Sequence, residues 1–123
     1  MAWKKVDENI IYSKNNITFK EISYSYKNGK QIERVSLSLG RNAVLIIPLI
    51  DDARYMMCVQ QRPGRAGMTY EFPNGGIKSK EAPKEAAQRE LIEETGYEGD
   101  LHYLGEFYPF QSALDLKVFV YTA

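Results

Sequence analysis

A chain of 123 residues fits one domain's worth of core and leaves no room for two. Hydrophobic residues make up 44% and charged residues 26%, the balance of an ordinary soluble globular protein. Lys and Arg number 16, as do Asp and Glu, so no charge excess favours a nucleic acid polymer or a membrane surface as partner.

The first forty residues are polar and rich in Tyr, Ile, Val, Ser and Thr. After Asn15-Asn16, the runs Glu21-Ile22-Ser23-Tyr24-Ser25-Tyr26 and Val35-Ser36-Leu37-Ser38-Leu39 alternate polar with apolar residues, the pattern of half-exposed strands. Asn28-Gly29 between them is a strong turn signal, so residues 17–39 are predicted to form an antiparallel hairpin. Residues 43–50 are almost continuously apolar, which predicts a strand buried on both faces. Asp51-Asp52 marks a turn, and residues 55–60 read as the paired return strand.

Cys58, the single cysteine, lies between Met57 and Val59 and reads as a small buried apolar residue rather than a nucleophile. With no partner for a disulfide within the chain, a reducing, cytoplasmic setting is expected. The opening Met-Ala-Trp-Lys-Lys-Val-Asp has no apolar signal core, and no stretch approaches the ~18 apolar residues of a membrane span.

Residues 62–67 form a flexible basic loop, and residues 70–76 lead into a second loop. A helix is predicted over residues 83–95, opened by Pro83, whose missing N–H has no partner in the first turn, and closed by Gly96. Two further strands follow, at 101–107 and 116–121. Asp115 falls between them as a loop residue.

The end of that helix concentrates acid. At about 100° per residue, Glu90 and Glu94 lie roughly 40° apart, and Glu93 roughly 60° to the other side of Glu90. Like charges at i,i+4 repel, and the helix C-terminus disfavours anions. Something cationic should therefore offset them. Arg89, at i,i+4 from Glu93, is one candidate, and a hard divalent cation bound by carboxylate oxygens is the other.

Residues 75–97 fit the pattern Gly-x5-Glu-x7-Arg-Glu-U-x-Glu-Glu-x-Gly-U, with U a bulky apolar residue. The fixed positions are Gly75, Glu81, Arg89, Glu90, Glu93, Glu94 and Gly96, and Leu91 fills the first U. At about 5–7% usage per residue type, a chance match is far below one in about a million. The segment resembles the Nudix hydrolase signature at every fixed position, with Tyr97 at the last U, where an aliphatic residue is commoner. The resemblance implies an α+β fold, a mixed β-sheet carrying the Nudix loop and helix, with residues 1–40 as an N-terminal hairpin extension and 41–123 as the catalytic domain.

It also implies roles. Glu90 and Glu94 match metal-ligating positions for Mg²⁺ or Mn²⁺, with Glu93 a further ligand and the Asn74 carbonyl a backbone ligand. Glu81 matches a loop glutamate that supports the site or reaches a metal through water. Arg89 resembles the residue that orients the glutamates. Gly75 and Gly76 would permit a tight turn close to the ion.

Gln60, Arg62, Glu71, Pro73 and Gly75 are similar to the corresponding segment of ADP-ribose pyrophosphatases and other nucleoside-diphosphate-sugar hydrolases, with Asn74 where those have Ala. A nucleoside diphosphate derivative is the implied substrate, and Arg62 the residue expected on its phosphates. A homodimer through the N-terminal strands is implied too. Trp3, Tyr24 and Tyr26 are candidate aromatic anchors for that interface or for an adenine, and the sequence assigns neither role.

Family members usually continue for several tens of residues with a strand, a loop and a closing helix. In the ADP-ribose enzymes a later loop glutamate often acts as base. After Glu106 the only acidic residue is Asp115, so no match exists. The expectations are a shortened C-terminal end and a base drawn from Glu93 or Glu90; the alternative is a chain that binds metal and nucleotide with little turnover.

Overall fold

The computed structural model describes residues 2–123. They form two compact units, one running to Arg41 and taking in Tyr108–Leu116, the other made of Asn42–Phe107 with Lys117–Ala123.

In the first unit, β1 (Lys4–Lys14), β2 (Ile17–Ser25), β3 (Gln31–Ser38) and the short β11 (Leu114–Asp115) form one sheet in the order β1-β2-β3-β11. The predicted hairpin is present: β2 and β3 run antiparallel from Thr18↔Ser38 to Ser25↔Gln31. Gly29, at φ 83°, turns the chain between them. The residue pattern predicts no strand before Asn15. β1 is nevertheless the longest strand of the fold, because Asn15 (φ 51°) and Asn16 (φ 66°) both adopt the left-handed conformation that a tight two-residue hairpin needs. Asp115 is correspondingly not a loop residue; it pairs in parallel with Ser38.

The second unit centres on a mixed sheet in the order β10-β12-β4-β9, where β4 is Ala43–Ile47, β9 Asn74–Gly76, β10 His102–Phe107 and β12 Val118–Thr122. β12 lies parallel to β4, while β9 and β10 are antiparallel to their neighbours. The strand predicted as buried on both faces over 43–50 is corrected in two ways. Only Val44 and Ile46 are fully buried, on one face of the pleat, and the strand ends at Ile47 because Pro48 has no N–H to continue the ladder. Beyond Pro48, β5 (Leu49–Asp51) makes a small ribbon with β6 (Arg54–Tyr55), and the predicted return strand over 55–60 is broken at Met56-Met57. Its second half, β7 (Cys58–Gln60), pairs instead with β8 (Thr69–Glu71).

The single helix among the described residues, α1, spans Pro83–Thr95 as predicted. The Glu85 carboxylate accepts the Ala82 N–H at 2.9 Å, and Gly96 closes the last turn at φ 76° by donating its N–H to the Ile92 carbonyl. Ala86, Ala87 and Leu91 pack on Val44, Ile46, Leu101 and Tyr121 to make the core. The two alanines bring helix and sheet close together. Among the described residues no helix is long and apolar enough to cross a membrane.

Leu91 is 2% exposed and its chain neighbour Ile92 is 40% exposed. Leu91→Ala should lower unfolding free energy by about 2–5 kcal/mol, while Ile92→Ala stays within about 1 kcal/mol, as urea denaturation would measure.

Candidate active site

Glu90 lies on the core-facing side of α1, beside Ala86, Ala87 and Leu91, and is only 9% exposed. Its carboxylate sits against the backbone of Gly75 in β9, where a Cβ would overlap it. This revises the reason for the glycine. Gly75 and Gly76 do not make a tight turn; they are strand residues paired with Val44 and Ala43, and neither has a positive φ. Gly75 is there for the space it leaves.

A carboxylate taken so far out of water needs a counter-charge. Arg89 supplies it. Its Nη1 donates to Glu90 Oε1 at 2.5 Å and to Glu93 Oε2 at 3.3 Å, its Nε to Glu81 Oε1 at 2.7 Å, and its Nη2 to Glu81 Oε2 and the Gly76 carbonyl, each at 3.0 Å. A guanidinium has five N–H groups, and Arg89 makes five contacts. Glu81 also accepts the Lys78 N–H at 2.9 Å, which ties the loop before the helix into the same cluster. The Arg89 bond and then that backbone N–H hold the Glu81 carboxyl down at about 2, and Glu81 in turn pushes Arg89 further up.

Glu94, one turn beyond Glu90, is held from the other side. Its Oε2 accepts the Asn74 N–H at 3.1 Å and its Oε1 accepts from Gln60 Nε2 at 3.4 Å. The buried Cys58 thiol stands 3.7 Å from the Glu94 carbonyl and 3.9 Å from its carboxylate. Burial, and then the charge of Glu94, push that thiol up and away from thiolate chemistry. Glu93 is more open, its side chain 53% exposed and paired with Arg89 as above.

The predicted site residues therefore separate into two groups. Glu81, Arg89, Glu90, Gly75 and Gly76 form one connected cluster, with Glu93 at its rim. Glu94 and Asn74 form another contact beside it, joined by Gln60 and Cys58, which the sequence reading had not placed there. Among the described residues, no three acidic, His or Cys side chains converge as a metal-binding group. Of the two candidates for the cation that offsets the glutamates, Arg89 is in contact with Glu90 and Glu93.

Arg62 is in neither group. It lies just past β7, where its Nε and Nη2 pair with both oxygens of Glu71 in β8, at 2.6 to 3.2 Å. That bond and the Thr69 hydroxyl hold the Glu71 carboxyl down at about 2. In the sequence Glu71 stands out only as part of a similar segment. Its pairing follows from the β7–β8 register, in which Cys58 faces Glu71 and Gln60 faces Thr69.

A model of the NUDIX domain matches residues 40–122. An ADP-sugar pyrophosphatase of Mus musculus is 35% identical over 104 residues, covering 76% of this chain and 48% of that protein. An uncharacterised Nudix hydrolase of Schizosaccharomyces pombe is 45% identical over 58 residues, covering 46% of this chain and 28% of that protein. The chain thus spans less than half the length of either relative. The crystal structure of an ADP compounds hydrolase superposes on the whole chain with a TM-score of 0.83 at 24% identity, covering 67% of that structure.

The depressed Glu81 carboxyl carries a pH signature. With a folded value of about 2 against an ordinary value near 4.5, its contribution is present above the ordinary value and is lost as pH falls towards 2. Glu81→Gln should therefore be less stable than wild type at pH 7, with the gap in urea midpoint shrinking steadily below pH 4.5.

Proposed function

This chain belongs to the Nudix family, and we propose that it hydrolyses the pyrophosphate bond of a nucleoside diphosphate linked to a further group, ADP-ribose or a nucleotide sugar. The observation that carries this reading is the Arg89 cluster. It fixes Glu81 and Glu90 against the Gly75–Gly76 strand and leaves one helix face of carboxylates beside an exposed rim.

The residues fit a hard divalent cation in their donor chemistry. Glu90, Glu93 and Glu94 offer carboxylate oxygens, and Gly75 leaves room for Glu90 against the backbone. Glu90 and Glu94 would hold the ion, with Glu93 and the Asn74 carbonyl as further ligands and Glu81 in support. Bound there, Mg²⁺ or Mn²⁺ supplies charge neutralisation for a diphosphate and a lowered pKa for a coordinated water. Arg89 keeps Glu90 oriented, because all its donors are committed to this cluster. Glu93 is the better placed of the two candidate bases: it is half-exposed with one long contact, whereas Glu90 is buried under the guanidinium. Arg62 would bind phosphate oxygens.

In this reading residues 41–123 form the catalytic part, and residues 1–40 an extension through which two copies pair. Support for the second point is the edge strand β1, where Val6, Ile10, Ile11 and Tyr12 are each about half exposed. The substrate is a small nucleotide derivative rather than a nucleic acid polymer or a membrane lipid, in keeping with the balance of 16 basic and 16 acidic residues. A cytoplasmic site of action accords with the free Cys58.

The test is a panel of nucleoside diphosphate derivatives with Mg²⁺, read by release of AMP or another nucleoside monophosphate. ADP-ribose or an ADP-sugar should turn over, Glu94→Gln should abolish turnover, and Arg89→Lys should lower kcat by about 10–100-fold. Nucleotide binding by calorimetry with no turnover of any member would overturn the hydrolase reading and leave a binding protein. Sedimentation analysis should give a dimer, and Ile10→Glu combined with Tyr12→Glu should shift it to monomer.

A further inference from the structure

We infer that Glu71 is a positioning residue that holds the Arg62 guanidinium ready for the substrate's diphosphate. This rests on the phosphate-binding role proposed above for Arg62.

The geometry is a fork-to-fork pair. Arg62 Nε lies 3.1 and 3.2 Å from the two Glu71 oxygens, and Nη2 lies 2.6 Å from Oε2. Glu71 is itself anchored. It belongs to β8, and Thr69 Oγ1 stands 2.9 Å from Glu71 Oε1 and 3.0 Å from the Gln60 carbonyl. Both of these are acceptors and a hydroxyl has one proton, so Thr69 bridges strand β7 to Glu71 by donating to either. The Arg62 side chain remains 43% exposed, and its bonds to Glu71 run through Nε and Nη2 rather than Nη1.

Two effects of Glu71 oppose each other. Its negative charge offsets that of Arg62 and weakens the pull on an anion. Its two-pronged hold removes the rotamer freedom that a long side chain otherwise loses on binding. At this exposure the Coulomb effect is screened by water and salt, whereas the ordering gain is not. Orientation should win. Glu71 therefore improves phosphate binding although it carries the same sign of charge as the ligand.

The probe is ADP, titrated into the intact chain by calorimetry at physiological ionic strength with Mg²⁺ present. Arg62→Ala should weaken ADP binding. Glu71→Gln, which keeps the shape and removes the charge, should weaken it by about 2- to 12-fold, the loss expected when one long side chain must be ordered on binding. In an Arg62→Ala background, Glu71→Gln should add nothing, because its effect passes through the arginine. A role in merely holding the loop would weaken ADP binding in that background as well. Thr69→Val should give a smaller loss in the same direction, and it carries the test if Glu71→Gln fails to fold by circular dichroism.

Unchanged or tighter ADP binding by Glu71→Gln, with Arg62→Ala weakened, overturns this inference alone. Additive losses in the double variant overturn it too. Unchanged binding by Arg62→Ala, or no ADP binding by the wild-type chain, overturns the phosphate role of Arg62 and the inference together.

Discussion

The arrangement of the Nudix helix depends on one guanidinium. Glu90, Glu93 and Glu94 stand at the C-terminal end of α1, where the helix dipole and their mutual repulsion both disfavour them, and Glu90 is nearly buried as well. Left to themselves these carboxylates would destabilise the helix. Arg89 engages two of them and adds Glu81 and the Gly76 carbonyl, so its contacts reach the loop, the strand and the helix at once. The cluster thereby ties the loop between β9 and α1 to both elements.

That role works only because the platform beneath it is tight. Ala86 and Ala87 let the helix approach the sheet, and Val44 and Ile46 fill the space from β4. Close approach brings Glu90 onto the backbone of β9, where only a glycine at 75 leaves room. The same small residues that make an efficient helix–sheet contact therefore press a charge into it. The Arg89 cluster is the compensation, and each feature requires the other.

Much of this was legible from residue types and spacing. Helix α1 was predicted at its observed limits, because Pro83 and Gly96 act through local backbone chemistry that neighbours do not override. The β2–β3 hairpin was legible for the same reason at Asn28-Gly29. The Asn15-Asn16 turn carried an equally local signal and was read only as a boundary, so β1 was missed. Residues 43–50 went wrong differently: apolar periodicity weighs Pro48 as one more apolar residue, whereas the ladder registers only its missing N–H. Gly75 was noted for its freedom to turn, yet it serves by its lack of a Cβ, which depends on the helix packed above it. Glu71 and Gln60 acquire partners only through strand pairing and helix docking, and no short-range pattern announces such contacts.

Arg89 and Arg62 show how one residue type serves opposite purposes. Arg89 has every donor committed, is 20% exposed, and sits among acceptors that belong to three different parts of the chain. Nothing of its fork remains for a ligand, so its contribution is to hold others in place. Arg62 is paired with one carboxylate, has twice the exposure, and keeps an edge of its fork uncommitted to that partner. Saturation makes an arginine architectural, and partial saturation makes it available while still ordered. A guanidinium paired on one edge is better prepared for phosphate than a wholly free one, because it need not be ordered at the moment of binding.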